Sequence, residues 1–122
     1  MLSQLLAPKT LIPLLIIAGL LVVNFKARAD FADPAQVKTM VKEGALLVDV
    51  RTPQEYSHGH IEGAINIPVS EVSQRLKEFG DPQKTIVVYC RSGARSARAK
   101  SILNKNGFKA VHNLGGIGRW PK

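Results

Sequence analysis

The heptapeptide Cys90-Arg91-Ser92-Gly93-Ala94-Arg95-Ser96 follows directly on an apolar run, Thr85-Ile86-Val87-Val88-Tyr89. A thiol reacts as its thiolate, and its ordinary pKa of about 8.5 falls beside arginines and a helix N-terminus. Gly93 permits a tight turn with positive φ. Such a turn points successive backbone N–H groups inward and makes a nest for an anion. A helix that begins here adds its positive end. Ser92 and Ser96 bring hydroxyl donors, and Arg91, Arg95 and Arg98 draw in a dianion. The set predicts a Cys90 thiolate at neutral pH, in a cradle that also stabilises an anion one sulfur longer. The plainer reading is a buried structural cysteine before a solvated basic helix, the common fate of a free thiol. A donor-rich loop directly after the cysteine argues against it.

Cys90 is the single cysteine of the 122-residue chain. No intramolecular disulfide and no cysteine-based metal site can form. Asp49, Arg51 and Glu55 read as an ion-pair and capping set that fixes the turn after a strand. Catalysis by them is disfavoured, because a carboxylate near the thiolate would raise its pKa. His60 invites a Cys–His pairing, whereas His58 and His112 have no evident partner. Trp120 reads as a packing anchor or pocket wall.

These residues need elements to hold them. Asp33-Pro34 is an N-cap and first helical residue. Val37, Met40 and Val41 follow at helical spacing, and Gly44 closes that helix. Residues 45–50 are a short apolar run, as in a strand buried on both faces. Thr52-Pro53 starts a short helix through Tyr56, and residues 65–67 form a second strand ended by Pro68. Ser70 and Glu71 cap a helix with Val72, Leu76 and Phe79 on one side. Residues 85–89 are the strongest strand signal. A helix over residues 94–106 and a last strand over residues 109–113 complete the order. Strands alternating with helices predict an α/β, doubly wound, mainly parallel sheet with helices on both faces. Cys90 then lies beyond the carboxyl end of a strand, where such sheets bind ligands.

The length allows one domain, residues 30–122, and an appendage, residues 1–29. The formal net charge is +8, which favours an anionic partner. Four Phe, two Tyr and one Trp provide no stacking platform within a basic run, so nucleic acid is not expected as a partner. Residues 10–25 carry no charge, with Lys9 before and Lys26 after. The segment is too apolar on all sides for a surface helix. It predicts an N-terminal hydrophobic helix and a membrane partner. One form is a single-pass anchor, with the positive-inside rule mildly favouring a cytoplasmic domain. The other is a signal peptide cleaved near Ala29, after Ala27-Arg28-Ala29, with export to the periplasm. Lys26 and Arg28 oppose translocation, and the anchor is slightly favoured.

The loop Cys90–Ser96 resembles the active-site loop of the rhodanese family. So do Asp49-Val50-Arg51, Glu55, the block Gly59-His60-Ile61-Glu62-Gly63-Ala64-Ile65-Asn66-Ile67-Pro68, and Gly115-Gly116 with Trp120. The resemblance spans residues 31–121 with its motifs in the family's order. It implies a sulfurtransferase with catalytic Cys90 and substrate held by Arg91, Ser92, Gly93, Ala94, Arg95 and Ser96. Asp49, Arg51, Glu55, His60 and Trp120 become structural support. The implied donor is thiosulfate or another sulfane-sulfur compound, and the acceptor is a thiol, a protein cysteine or cyanide. The resemblance implies no metal or organic cofactor. The family usually continues past the Trp, so a chain ending at Lys122 implies a more open acceptor side. A phosphatase or arsenate reductase is the first rival. Its loop needs Arg six positions after Cys to clamp an oxyanion, and that position is Ser96. A membrane-tethered persulfide carrier or binding module is the second rival.

Overall fold

A computed structural model describes residues 30–122. The hydrophobic helix and membrane segment expected within residues 1–29 lie outside the described residues. Among the described residues, no helix is long and apolar enough to cross a membrane.

Helix α1 (Pro34–Lys42) starts at Asp33, whose carboxylate accepts from the Ala35 N–H at 3.1 Å. Strand β1 (Leu46–Asp49) leads to α2 (Pro53–His58), which opens with a capping box between Thr52 and Glu55. Strand β2 (Ile65–Asn66) is followed by 3₁₀ turns at Val69–Gln74 and Leu76–Phe79. Then come β3 (Ile86–Cys90), α3 (Ala94–Lys105), β4 (Val111–Gly116) and a last 3₁₀ turn, Ile117–Arg119. The sheet order is β2-β1-β3-β4, with every pair parallel.

Strand periodicity divides the core in two. Val48, Ile86, Val88 and Cys90 point to the face covered by Ala99 and Leu103 of α3 and by Val72 and Phe79 of the 3₁₀ turns. Leu47, Val87 and Tyr89 point to the other face, against Val37 and Met40 of α1 and Tyr56 of α2. β3 is buried along its whole length, which accounts for its unbroken apolar run.

Two expectations are corrected. Residues 70–79 form no capped α-helix. Pro68 stands at the N-cap without a side-chain bond, and the chain breaks at Arg75 (φ −121°, ψ 31°). Apolar positions 69, 72, 76 and 79 fit two short turns as well as one helix, and Arg75 binds Glu78 and Glu71 across the break. The last strand runs to Gly116 rather than ending at Asn113, because a register shift opposite Val88 and Tyr89 absorbs the extra residue. Leu114 is the extra residue, and Gly115, which pairs with Tyr89 directly after it, takes φ +96° and donates its N–H to Asn113 Oδ1 at 2.9 Å.

Candidate active site

Cys90 ends β3, on the α3 face of the sheet, and is 1% exposed. Gly93 takes φ +107°, ψ −15° and is the N-cap of α3. That turn brings the Gly93 N–H to 3.0 Å from Cys90 Sγ, and Ser96 Oγ lies 3.4 Å from the same sulfur. Burial pushes the thiol pKa up. The Ser96 hydroxyl, followed by the backbone N–H groups of Ser96, Gly93 and Ser92, outweighs burial, so the pKa falls below its ordinary value. The sulfur is buried, yet its pocket is polar. This separates it from an inert core cysteine.

The Ser96 hydroxyl also lies 3.1 Å from Gly93 O. It has one proton to give. A charged sulfur attracts that proton, and a neutral one releases it to the carbonyl. Within the loop, Gly93 and Ser96 are buried, whereas Arg91, Ser92 and Ala94 are exposed. Arg98 is exposed as well.

Arg95 does not present a free guanidinium. Its Nη1 and Nη2 bind Glu55 Oε1 and Oε2 at 2.6 and 3.0 Å. The Arg95 bond, with the Thr52 N–H next, lowers the Glu55 pKa to about 2. Glu55 therefore joins α2 to the active-site loop, and Arg95 neutralises the carboxylate expected to disfavour the thiolate. The Asp49–Arg51 pair is separate. Arg51 Nη2 meets Asp49 Oδ2 at 2.6 Å and Gly59 O at 2.7 Å, with Asp49 fully buried. Asn66 Nδ2 donates to the carbonyls of Asp49 and Arg51, and Ile61 N–H donates to Tyr89 Oη at 3.1 Å. These bonds fasten the Gly59–Ile67 stretch to the sheet.

His60 is not brought to Cys90. Its ring stacks on Tyr56 at 3.7 Å, and Nδ1 bonds Tyr56 O. His58 Nδ1 bonds Gln54 O, and His112 is half-buried on β4, its pKa lowered by burial and by Lys100. Trp120 packs with the α1-face cluster, on the other side of the sheet from Cys90, with Lys38 Nζ 5.9 Å from its ring. Beside the loop mouth, a cleft of about 510 Å³ is lined by Arg51, Thr52, Gln54, Glu55, His58, Arg91 and Ile117.

Gly116 is a close-approach glycine, since a Cβ there would lie 2.6 Å from Arg91 O. Two residues near the loop carry no signal in the sequence. Asn113, on β4, reaches Gly93 O at 3.5 Å. Phe31 lies against Gly93 and Gly115. Neither stands in a chemical motif: the crossover from β3 through α3 to β4 brings Asn113 to the loop, and the Ala32 N–H bond to Asn113 O at 2.8 Å brings the Phe31 segment beside β4.

The sequence profile of the Rhodanese-like domain family matches residues 33–122. The chain is 44% identical over 71 residues to the thiosulfate sulfurtransferase PspE of Escherichia coli, spanning 57% of this chain and 68% of that protein. It is 42% identical over 81 residues to a sulfurtransferase of Allochromatium vinosum, spanning 66% and 75%. A solved rhodanese with anions from Escherichia coli superposes with a TM-score of 0.60 and 40% identity, covering 64% of this chain and 95% of that one.

Proposed function

The chain belongs to the rhodanese-like domain family, and from that membership we propose a sulfurtransferase that moves a sulfane sulfur through a persulfide on Cys90. The observation that carries the reading is the donor set on Cys90 Sγ, with the Gly93 N–H at 3.0 Å and the Ser96 hydroxyl at 3.4 Å. In the first step the thiolate attacks the outer sulfur of thiosulfate. The sulfur–sulfur bond of the donor breaks, its electron pair leaves with sulfite, and Cys90 becomes a persulfide anion. In the second step an acceptor thiolate attacks the outer persulfide sulfur and takes it, and the Cys90 thiolate returns. Cyanide as acceptor yields thiocyanate. This is nucleophilic catalysis in two steps, balanced without an external oxidant or reductant. The loop N–H groups act on the sulfur anion as an oxyanion hole acts on oxygen.

Thiosulfate is the donor named for the Escherichia coli relative. A slim dianion also suits a buried sulfur in a chain of net charge +8. Phosphatase chemistry is disfavoured, because position 96 holds a serine turned toward the sulfur and Arg95 is engaged by Glu55. Lys26 and Arg28, whose charge opposes translocation, support an anchor formed by the uncharged run at residues 10–25 over a signal peptide cleaved near Ala29. The mass of protein recovered from cells tests that: a chain starting at Asp30 overturns the anchor.

Intact mass before and after thiosulfate tests the chemistry. A gain of about 32 Da, removed by cyanide and absent in Cys90→Ser, is the expected outcome. A folded protein with a titratable thiolate and no gain would rule out thiosulfate as donor.

A further inference from the structure

We propose that Phe31 is a positioning residue for the Cys90 sulfur, its ring wedged against Gly93 and Gly115 so that the Gly93 N–H stays aimed at Sγ. The contact is close at both glycines. A Cβ on Gly93 would lie 2.3 Å from Phe31 Cζ, and one on Gly115 would lie 2.9 Å from Phe31 Cδ2. The ring therefore occupies the space that side chains would fill, directly on the loop backbone. Arg119 also lies against it, its guanidinium 5.3 Å from the ring centre. Arg119 is itself fixed, donating to Leu114 O at 2.7 Å and to Ala32 O at 3.1 Å. Ala32 N–H donates to Asn113 O at 2.8 Å, which fixes the backbone next to Phe31.

Phe31 belongs to neither core cluster. Its ring lies on the loop at Gly93 and on the end of β4 at Gly115. Glycine is the residue freest to change φ and ψ, and the direction of the Gly93 N–H depends on what surrounds it. Its carbonyl is held by Ala97 N–H at 3.0 Å and by Ser96 Oγ. Its Cα side is held by Phe31. Removing the ring lets the turn relax, and the charge-assisted bond from Gly93 N–H to the sulfur weakens.

The inference rests on Cys90 as the reactive thiolate, so its test reads the thiol without any sulfur donor. The full chain in mild detergent, as wild type, Phe31→Ala and Phe31→Leu, is alkylated with iodoacetamide across pH. Phe31→Ala is expected to move the inflection to higher pH and to slow alkylation on its acid side roughly three- to tenfold, the size of a weakened hydrogen bond to a charged group. Phe31→Leu, which keeps part of the apolar bulk, falls between Phe31→Ala and wild type. An unmoved inflection in folded Phe31→Ala overturns the role. If Phe31→Ala does not fold, a wild-type inflection in Phe31→Leu overturns it instead. Absence of sulfur uptake from thiosulfate by wild type, with these shifts present in the variants, would count against the donor and leave the role of Phe31 standing.

Discussion

At the scale of single residues, the site is a competition between burial and hydrogen bonding on one sulfur. Burial favours the neutral thiol, and the loop donors favour the anion and win. The sign for activity follows. The donor step holds above the lowered Cys90 pKa and is lost as pH falls through it. Ser96→Ala removes the largest stabilising donor, so the acid limb of the rate–pH profile should move to higher pH; a limb that stays in place would count against that bond. Arg95 has a second-hand role. Arg95→Ala leaves the Glu55 carboxylate unpaired beside an anionic site, and kcat/KM for thiosulfate should fall roughly tenfold. Adding Glu55→Gln removes the stray charge and should recover part of the loss. A double-mutant cycle on the donor step reads this coupling directly, and strict additivity would rule it out.

The active-site loop is a joint between β3, α3 and β4. β3 delivers Cys90 to the α3 face by strand alternation, and α3 starts at the turn that supplies the donors. β4 closes the joint from the side, where Gly116 pairs with Cys90 and lies against the Arg91 carbonyl. Gly116→Ala places a methyl 2.6 Å from that oxygen. Backbone on both sides leaves no flexible side chain to yield, so the loop itself must shift. Thermal unfolding should show a loss of about 1–3 kcal/mol, and persulfide formation should slow more than stability alone accounts for. Wild-type uptake of sulfur in this variant would show that the loop has room to spare. Sequence patterns predicted the three elements, but their ends moved. The 3.6 and 2.0 periods identify a face, whereas the bulge before Gly115 depends on what β3 pairs with. The same limit explains residues 70–79, where apolar spacing alone does not separate one α-helix from two 3₁₀ turns.

Across the whole domain, the charge pairs tie distant segments together, and pH should expose one of them. The folded Glu55 pKa is about 2, against an ordinary 4.5. A depressed carboxylate contributes stability above its unfolded pKa and loses it as pH falls through the folded one. Wild type should therefore lose stability between about pH 4.5 and 2, and Glu55→Gln should flatten that part of the curve. Denaturant unfolding at a series of pH values checks it; parallel curves would mean that the pair contributes nothing. The side chains are partly exposed, so the effect is a modest one. The sequence by itself determined the alternating α/β order, the parallel sheet, the place of Cys90 after its buried strand and the αL turn at Gly93. Each of these follows from neighbours a few residues apart: apolar period, caps, and a glycine where φ must be positive. The tertiary structure alone decided which donors reach the sulfur, that Glu55 engages Arg95, that His60 turns to Tyr56, and that Phe31 covers the loop. The Glu55–Arg95 and Phe31 contacts join segments far apart in the chain and depend on how the elements assemble, whereas the sulfur donors and the His60–Tyr56 contact are local in sequence but depend on side-chain directions that no apolar period encodes.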